Sequence, residues 1–175
     1  MYLLDRAKYF LSIFFILCCS HLALFVNEAK SEEINDPMEI ANPILTTKGI
    51  NANPYEIKAS NGIKKGDDLE LFEIEGKLKT KNGIWTYLNA DRGIYNQISG
   101  VIFLFNNVLF YTENNEKLIS DEAIVDLNKN IITLLSNVEH INQNNEIKAE
   151  KSIIQGDFQK IEFFGNVRTN LKINN

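Results

Sequence analysis

The chain has 175 residues, 45% of them hydrophobic and 23% charged, with a net charge of -5. Those proportions exclude a disordered chain, and with no basic face to neutralise phosphates they argue against a nucleic-acid partner. Both cysteines, Cys18 and Cys19, are adjacent and N-terminal, so no disulfide framework is open to the rest of the chain.

Residues 1–8 carry Arg6 and Lys8, and Tyr9 to Val26 is almost wholly apolar, long enough to cross a bilayer as a helix. Glu28, Glu32 and Glu33 follow it. The positive-inside bias therefore predicts a cytoplasmic N-terminus, a single transmembrane anchor over 9–26 and everything beyond it on the far side of the membrane. A cleaved signal peptide is the rival reading, but the small residues that its cleavage site requires are poorly placed. Lipidation of Cys18 or Cys19 is disfavoured by Leu17, which stands where a small residue is needed. Residues 27–47 are polar, include Pro37 and Pro43, and read as a tether.

A domain over 48–175 follows, beginning near Ile44 or Gly49. From Tyr55 onward the pattern alternates with period two, rich in β-branched and aromatic residues and punctuated by Asn, Gly, Asp and Lys. Strands are predicted near Tyr55–Ser60, Leu69–Leu78, Ile84–Tyr95, Gly100–Thr112, Leu118–Leu127, Asn130–Ile141, Ile147–Ile154 and Lys160–Lys172. Short turns such as 81–83 and 113–117 link them, giving an all-β, antiparallel class of sequential hairpins.

Three segments, Leu88–Val108, Leu118–Val138 and Ile147–Val167, align without a gap. Asp91, Asp121 and Glu150 form one column, and each copy closes on Asn-Val (Asn107-Val108, Asn137-Val138, Asn166-Val167). A fainter copy starts at Ile57-Lys58-Ala59-Ser60, so the domain comprises about four hairpin units that must stack to bury their apolar faces.

Because strand side chains alternate faces, one face of the closing strands collects Ile102, Leu104 and Val108, then Ile132, Leu134 and Val138, then Ile161, Phe163 and Val167. Asn106, Ser136 and Gly165 form a small-residue column between them, the expected place for an opening. Phe103, Phe105, Leu135 and Phe164 on the other face call for cover on both sides, as in a sandwich or a rolled pair of sheets. Two readings stay open: a filled core, or two facing sheets that leave an apolar slot for a lipid.

Arg92, Glu122 and Lys151 form a charge column beside the acidic one and are expected to pair across neighbouring strands. Lys77, Lys79 and Lys81 share a face and read as guards of an exposed edge. Asp67, Asp68 and Glu70 border a turn without the spacing of a calcium loop. The domain's one imidazole, His140, has no companion motif for a triad or a metal site, and no glycine-rich phosphate loop or GxSxG turn is present. The expectation is a protein that is not an enzyme and uses no cofactor and no metal.

The repeat, with its acidic turn-in and closing Asn-Val, resembles the OstA-type repeat of lipopolysaccharide transport proteins. GINANPYEIKASNG at 49–62, SDEAIVDL at 120–127 and IEFFGNVR at 161–168 are similar to the LptC family, the bitopic inner-membrane component of that machinery. The resemblance implies a twisted β-jellyroll anchored by one helix, with its domain in the periplasm. It implies acceptance of lipopolysaccharide from the inner-membrane ABC transporter LptB/LptF/LptG, which hydrolyses the ATP, and delivery to the periplasmic bridge protein LptA. It also implies contacts by strand addition, with Gly165, Asn166, Val167 and Arg168 on the LptA side and the first strands, with Tyr55 and Ile57, on the transporter side. A soluble LptA-like bridge with a cleaved signal peptide, or an envelope scaffold that binds no lipid, are the alternatives.

Overall fold

The computed structural model describes residues 36–46, 54–79, 84–143, 145–155, 158 and 160–171. The expected anchor at 9–26, Lys81 and residues 47–53 lie outside them.

The strands are β1 (Met38–Ala41), β2 (Ile44–Thr46), β3 (Tyr55–Lys65), β4 (Asp68–Lys79), β5 (Trp85–Asn96), β6 (Val101–Thr112), β7 (Lys117–Asp126), β8 (Ile131–Asn142), β9 (Asn145–Gln155), β10 (Lys160–Phe164) and β11 (Arg168–Leu171). They form one antiparallel sheet in the order β1-β3-β4-β5-β6-β7-β8-β9-β10, with β2 also on β3 and β11 also on β9. Four hairpins in sequence are as the repeat predicts. Met38–Thr46 departs from the tether expectation: β1 and β2 pair with Asn61–Lys64 and Glu56–Lys58 and cover the sheet's first edge.

The sheet is bent along one line. In β6, β8 and between β10 and β11, two consecutive residues take positive φ: Asn106 and Asn107, Ser136 and Asn137, Gly165 and Asn166. Each pair opposes a single residue on the neighbouring strand, and the register shifts between Phe105 and Val108 and between Leu135 and Val138. These are β-bulges, which kink a strand and increase its twist. Glu73 in β4 and Asn42 between β1 and β2 also have positive φ, so the crease runs across the sheet. Asparagine recurs there because its short polar side chain tolerates the left-handed region.

The predicted small-residue column is therefore no opening. It is the outside of a fold line, exposed to solvent. On that surface Asn107 donates to Asp91 at 2.7 Å, Asn137 to Asp121 at 2.5 Å, and Asn166 to Glu150. The acidic column and the Asn of the closing Asn-Val thus recur together, because each carboxylate clasps the bulge of its own hairpin. In the faint copy Ser60 takes that place, donating to the carbonyl of Phe72.

The bend divides each long strand into two arms. The first arm holds the N-terminal halves of β3, β5, β7 and β9, with the C-terminal halves of β4, β6 and β8, and with β2 and β11. The second holds the other halves with β1 and β10. Buried residues of both arms form one continuous cluster, from Ile57, Leu88 and Phe110 on the first to Leu71, Leu104 and Ile154 on the second. A single sheet folded on itself thus supplies both layers of the core.

Closing the crease needs small inward side chains, and every opening strand supplies two, spaced by three: Ala59 and Gly62, Ala90 and Gly93, Ser120 and Ala123, Ala149 and Ser152. All eight are buried. A Cβ on Gly93 would lie 2.7 Å from Ile74 Cδ1 and 3.0 Å from the Phe103 carbonyl oxygen. Closing strands place large residues between them, giving one cross-strand row that reads Gly62, Leu71, Gly93, Leu104, Ala123, Leu134, Ser152, Phe163. Small and large side chains alternate along it, which lets the arms approach closely.

The charges pair differently from expectation. Arg92, Glu122 and Lys151 sit on alternate strands, separated by Phe105 and Leu135, too far apart to meet. Arg92 instead bonds Glu70 on β4, its Nε at 2.6 Å, and lies over Phe72. Lys77 and Lys79 guard no edge, since β4 is paired on both sides. Both ammoniums lie over the Trp85 ring, at 5.5 and 5.4 Å, and Lys77 pairs with Glu56 at 3.4 Å. Asp68 accepts from Asn96 at 2.7 Å.

Candidate functional site

Of the nine expected interior residues, Ile102, Leu104, Val108, Ile132, Leu134 and Val138 are buried, at 0 to 5% exposure. Ile161 and Phe163 are half-buried and pack on the same core. Val167 is 49% exposed and leaves the column. It falls between β10 and β11 just after the Gly165-Asn166 bulge, and no described strand lies beyond to cover it, whereas Val108 and Val138 are enclosed by neighbours on both sides.

The expected partner residues divide similarly. Gly165, Asn166, Val167 and Arg168 lie exposed at the sheet's second edge, with Phe164 at 44% and Leu171 at 64% exposure beside them. Ile57 is 1% exposed and so lies in the core. Tyr55 is half-buried, and the first edge belongs to β1 and β2, which expose Met38 and Ile44. Sequence reasoning missed these two strands because each is only three or four residues long, with Asn42 and Pro43 between them reading as linker.

Opposite the crease, the strand ends of the two arms meet. Near β2 they part into a cleft of about 520 Å³ between Leu45, Thr46 and Tyr55 on the first arm and Tyr95, Gln97, Ile98, Leu127 and Asn128 on the second, a lining of mixed polarity. No charged side chain lines it among the described residues. Burial, and then the neighbouring Tyr95, push the Tyr55 phenol above its ordinary value, so it stays neutral at physiological pH.

Tyr55 and Leu127 also bound a second space between the arms, of about 20 Å³, walled by Thr86, Val125, Ile132 and Phe158 with Lys79 and Asp126 at its margin. That is room for about one water molecule. The Thr86 hydroxyl is buried there without a hydrogen-bonding partner in the protein. Tyr55 and Leu127 thus wall both spaces. Leu45, Tyr95 and Leu127 were not singled out from sequence. The signal was weak, since they stand at strand ends where period-two alternation fades.

At the other end His140, for which the sequence offered no companion motif, has two neighbours. Its Nε2 lies 2.8 Å from Glu116 Oε1, and its ring stacks on Phe163.

The sequence matches no protein-family model, and no curated protein matches it. Among solved structures the chain is similar to LptH from Pseudomonas aeruginosa, the LptA homologous periplasmic component of the conserved lipopolysaccharide transport device. The TM-score is 0.40 at 9% identity, over 79% of this chain and 96% of that one. That likeness assigns this chain neither a family nor a role.

Proposed function

We propose that this protein carries a lipid of the envelope between its two arms and acts in lipopolysaccharide transport as an LptC-like component, anchored by 9–26 in the inner membrane with its domain in the periplasm. The observation that carries the reading is the cleft of about 520 Å³ at the β2 end, lined by no charged side chain and opening at Tyr55 and Leu127 between the same two arms whose facing surfaces form the buried, mainly apolar core. An acyl chain lying between those arms gains about 0.8 kcal/mol for each CH₂ removed from water and needs no specific donor or acceptor. Lipid enters from the ABC transporter LptB/LptF/LptG at the β1 and β2 edge and leaves for LptA at the β10 and β11 edge. Among the described residues both edges end in short strands with no strand on their outer side and with exposed apolar side chains, the features that strand addition uses.

Photo-crosslinking residues placed singly at Leu104, Leu134 and Leu45 should capture lipopolysaccharide in cells, with Phe103 and Thr133 on the outer face as controls. Capture at the outer positions alone sinks the reading. Mass spectrometry of the mature N-terminus separates the anchored form from a soluble, LptA-like bridge, since an intact Met1 excludes the latter.

A second reading, a strand-edge scaffold with a filled core, is favoured by the near-zero exposure of Ile102, Leu104, Val108 and Leu134. It predicts that substituting edge residues abolishes partner binding while no interior position ever captures lipid.

A further inference from the structure

The two ends of the interior differ. At the β2 end the arms stand apart, but at the β10 end a ring from each arm meets the other. Phe163, the last large residue of the cross-strand row, belongs to the second arm, and His140, on β8, to the first. Their centroids are 5.6 Å apart with planes inclined by 24°.

The two partners are held unequally. His140 is 9% exposed, sits on a strand paired on both sides, and is tied through Nε2 to Glu116 on the turn before β7. Phe163 is half-buried on β10, a five-residue strand that among the described residues pairs with β9 alone and is followed directly by the Gly165-Asn166 bulge. Edge strands with few neighbours open at lower free energy than central ones, so Phe163 is the side that moves.

Resting on the lipid-carrier reading above, we propose that the His140–Phe163 stack, anchored through Glu116, is a latch that closes the interior at its β10 end. An acyl chain leaves by that edge only when Phe163 swings away from His140. The latch lies just inside Gly165–Arg168, so a partner strand that captures this edge is placed to pull β10 outward. The moving contact is apolar and stacked, so it reseals once the chain has passed.

The test uses the full-length protein in detergent-free nanodiscs with a fluorescent long-chain fatty acid. Uptake is read at equilibrium, and release is read as transfer to phosphatidylcholine vesicles. Phe163→Leu keeps the apolar volume and removes the ring. Release should accelerate about two- to tenfold, the range an aromatic pair of this geometry supplies. Phe163→Tyr should return it to the unmodified rate. Glu116→Gln, which leaves the core intact, should loosen the imidazole and accelerate release in the same direction. Uptake with Phe163→Leu and Glu116→Gln both releasing at the unmodified rate overturns the latch alone, and so does a Phe163→Tyr protein as fast as Phe163→Leu. No uptake by the unmodified protein overturns the carrier reading, and the latch with it.

Discussion

Asn137 is where the crease can be tested most directly. It has φ of 49°, follows Ser136 at 64°, and donates to Asp121 at 2.5 Å on the exposed face. Two terms are separable there. Asn137→Gly removes the hydrogen bond and keeps easy access to positive φ, so it should cost about 0.5 to 1 kcal/mol. Asn137→Ala loses the bond and adds the left-handed penalty, for about 1 to 2 kcal/mol together. Asn137→Val adds β-branching at a positive φ and should cost more than 2 kcal/mol. Thermal and urea unfolding followed by circular dichroism read the series, with each kcal/mol worth roughly 3 °C in a domain of this size. The double variant Asp121→Ala/Asn137→Gly should cost little more than its larger single component, because both remove one bond. A valine no worse than the glycine, or an additive double variant, would refute the assignment of the bend to a clasped bulge.

The packing of the crease gives a second prediction. Gly93→Ala should destabilise by about 1 to 3 kcal/mol, because the new Cβ meets Ile74 and the Phe103 carbonyl, whereas Ala123→Gly on the equivalent position of the next hairpin should cost about 1 kcal/mol; denaturant midpoints compare them. Leu134→Ala should cost about 2 to 5 kcal/mol, and Phe103→Ser, on the outer face, far less; a comparable loss at both would mean that the inner and outer faces are misassigned. The turn between β7 and β8 predicts a pH effect. Asp126 accepts from Lys129 Nζ at 2.8 Å and from the amides of Lys129 and Asn128, which holds its carboxyl below the ordinary value. A lowered folded-state pKa means stability that is present above the unfolded value, near 3.9, and is lost as pH falls through the folded one. Asp126→Asn should therefore be destabilising at pH 7 and indistinguishable from the unmodified protein once pH lies below both values, as measured by unfolding midpoints across pH 2 to 7.

The alternation of apolar side chains, the four hairpins and the inward columns through Leu104 and Leu134 were legible in the sequence. Each follows from the two-residue period of an extended chain, which is local. The recurrence of Asp or Glu with Asn-Val was equally visible, but its meaning was not. Asp121 and Asn137 are sixteen residues apart, and only pairing at the shifted register brings them together across a bulge. The same holds for the small residues. The column at Asn106, Ser136 and Gly165 is small between large residues of the closing strands, yet the space-making residues are Gly62, Gly93, Ala123 and Ser152 on the partner strands. Their smallness matters only once two arms meet.

By itself the sequence determined what each strand could bury: a period-two face with Ile, Leu, Val and Phe, and an asparagine where the backbone can turn left-handed. Tertiary structure alone decided where those faces meet. Whether Val167 joins the interior depends on the strands available to cover it, and whether His140 is idle or locked against Phe163 depends on the fold that brings the second arm over the first. Local patterning specifies strands, while the closure of one arm on the other is set by side-chain volume and register across the whole sheet.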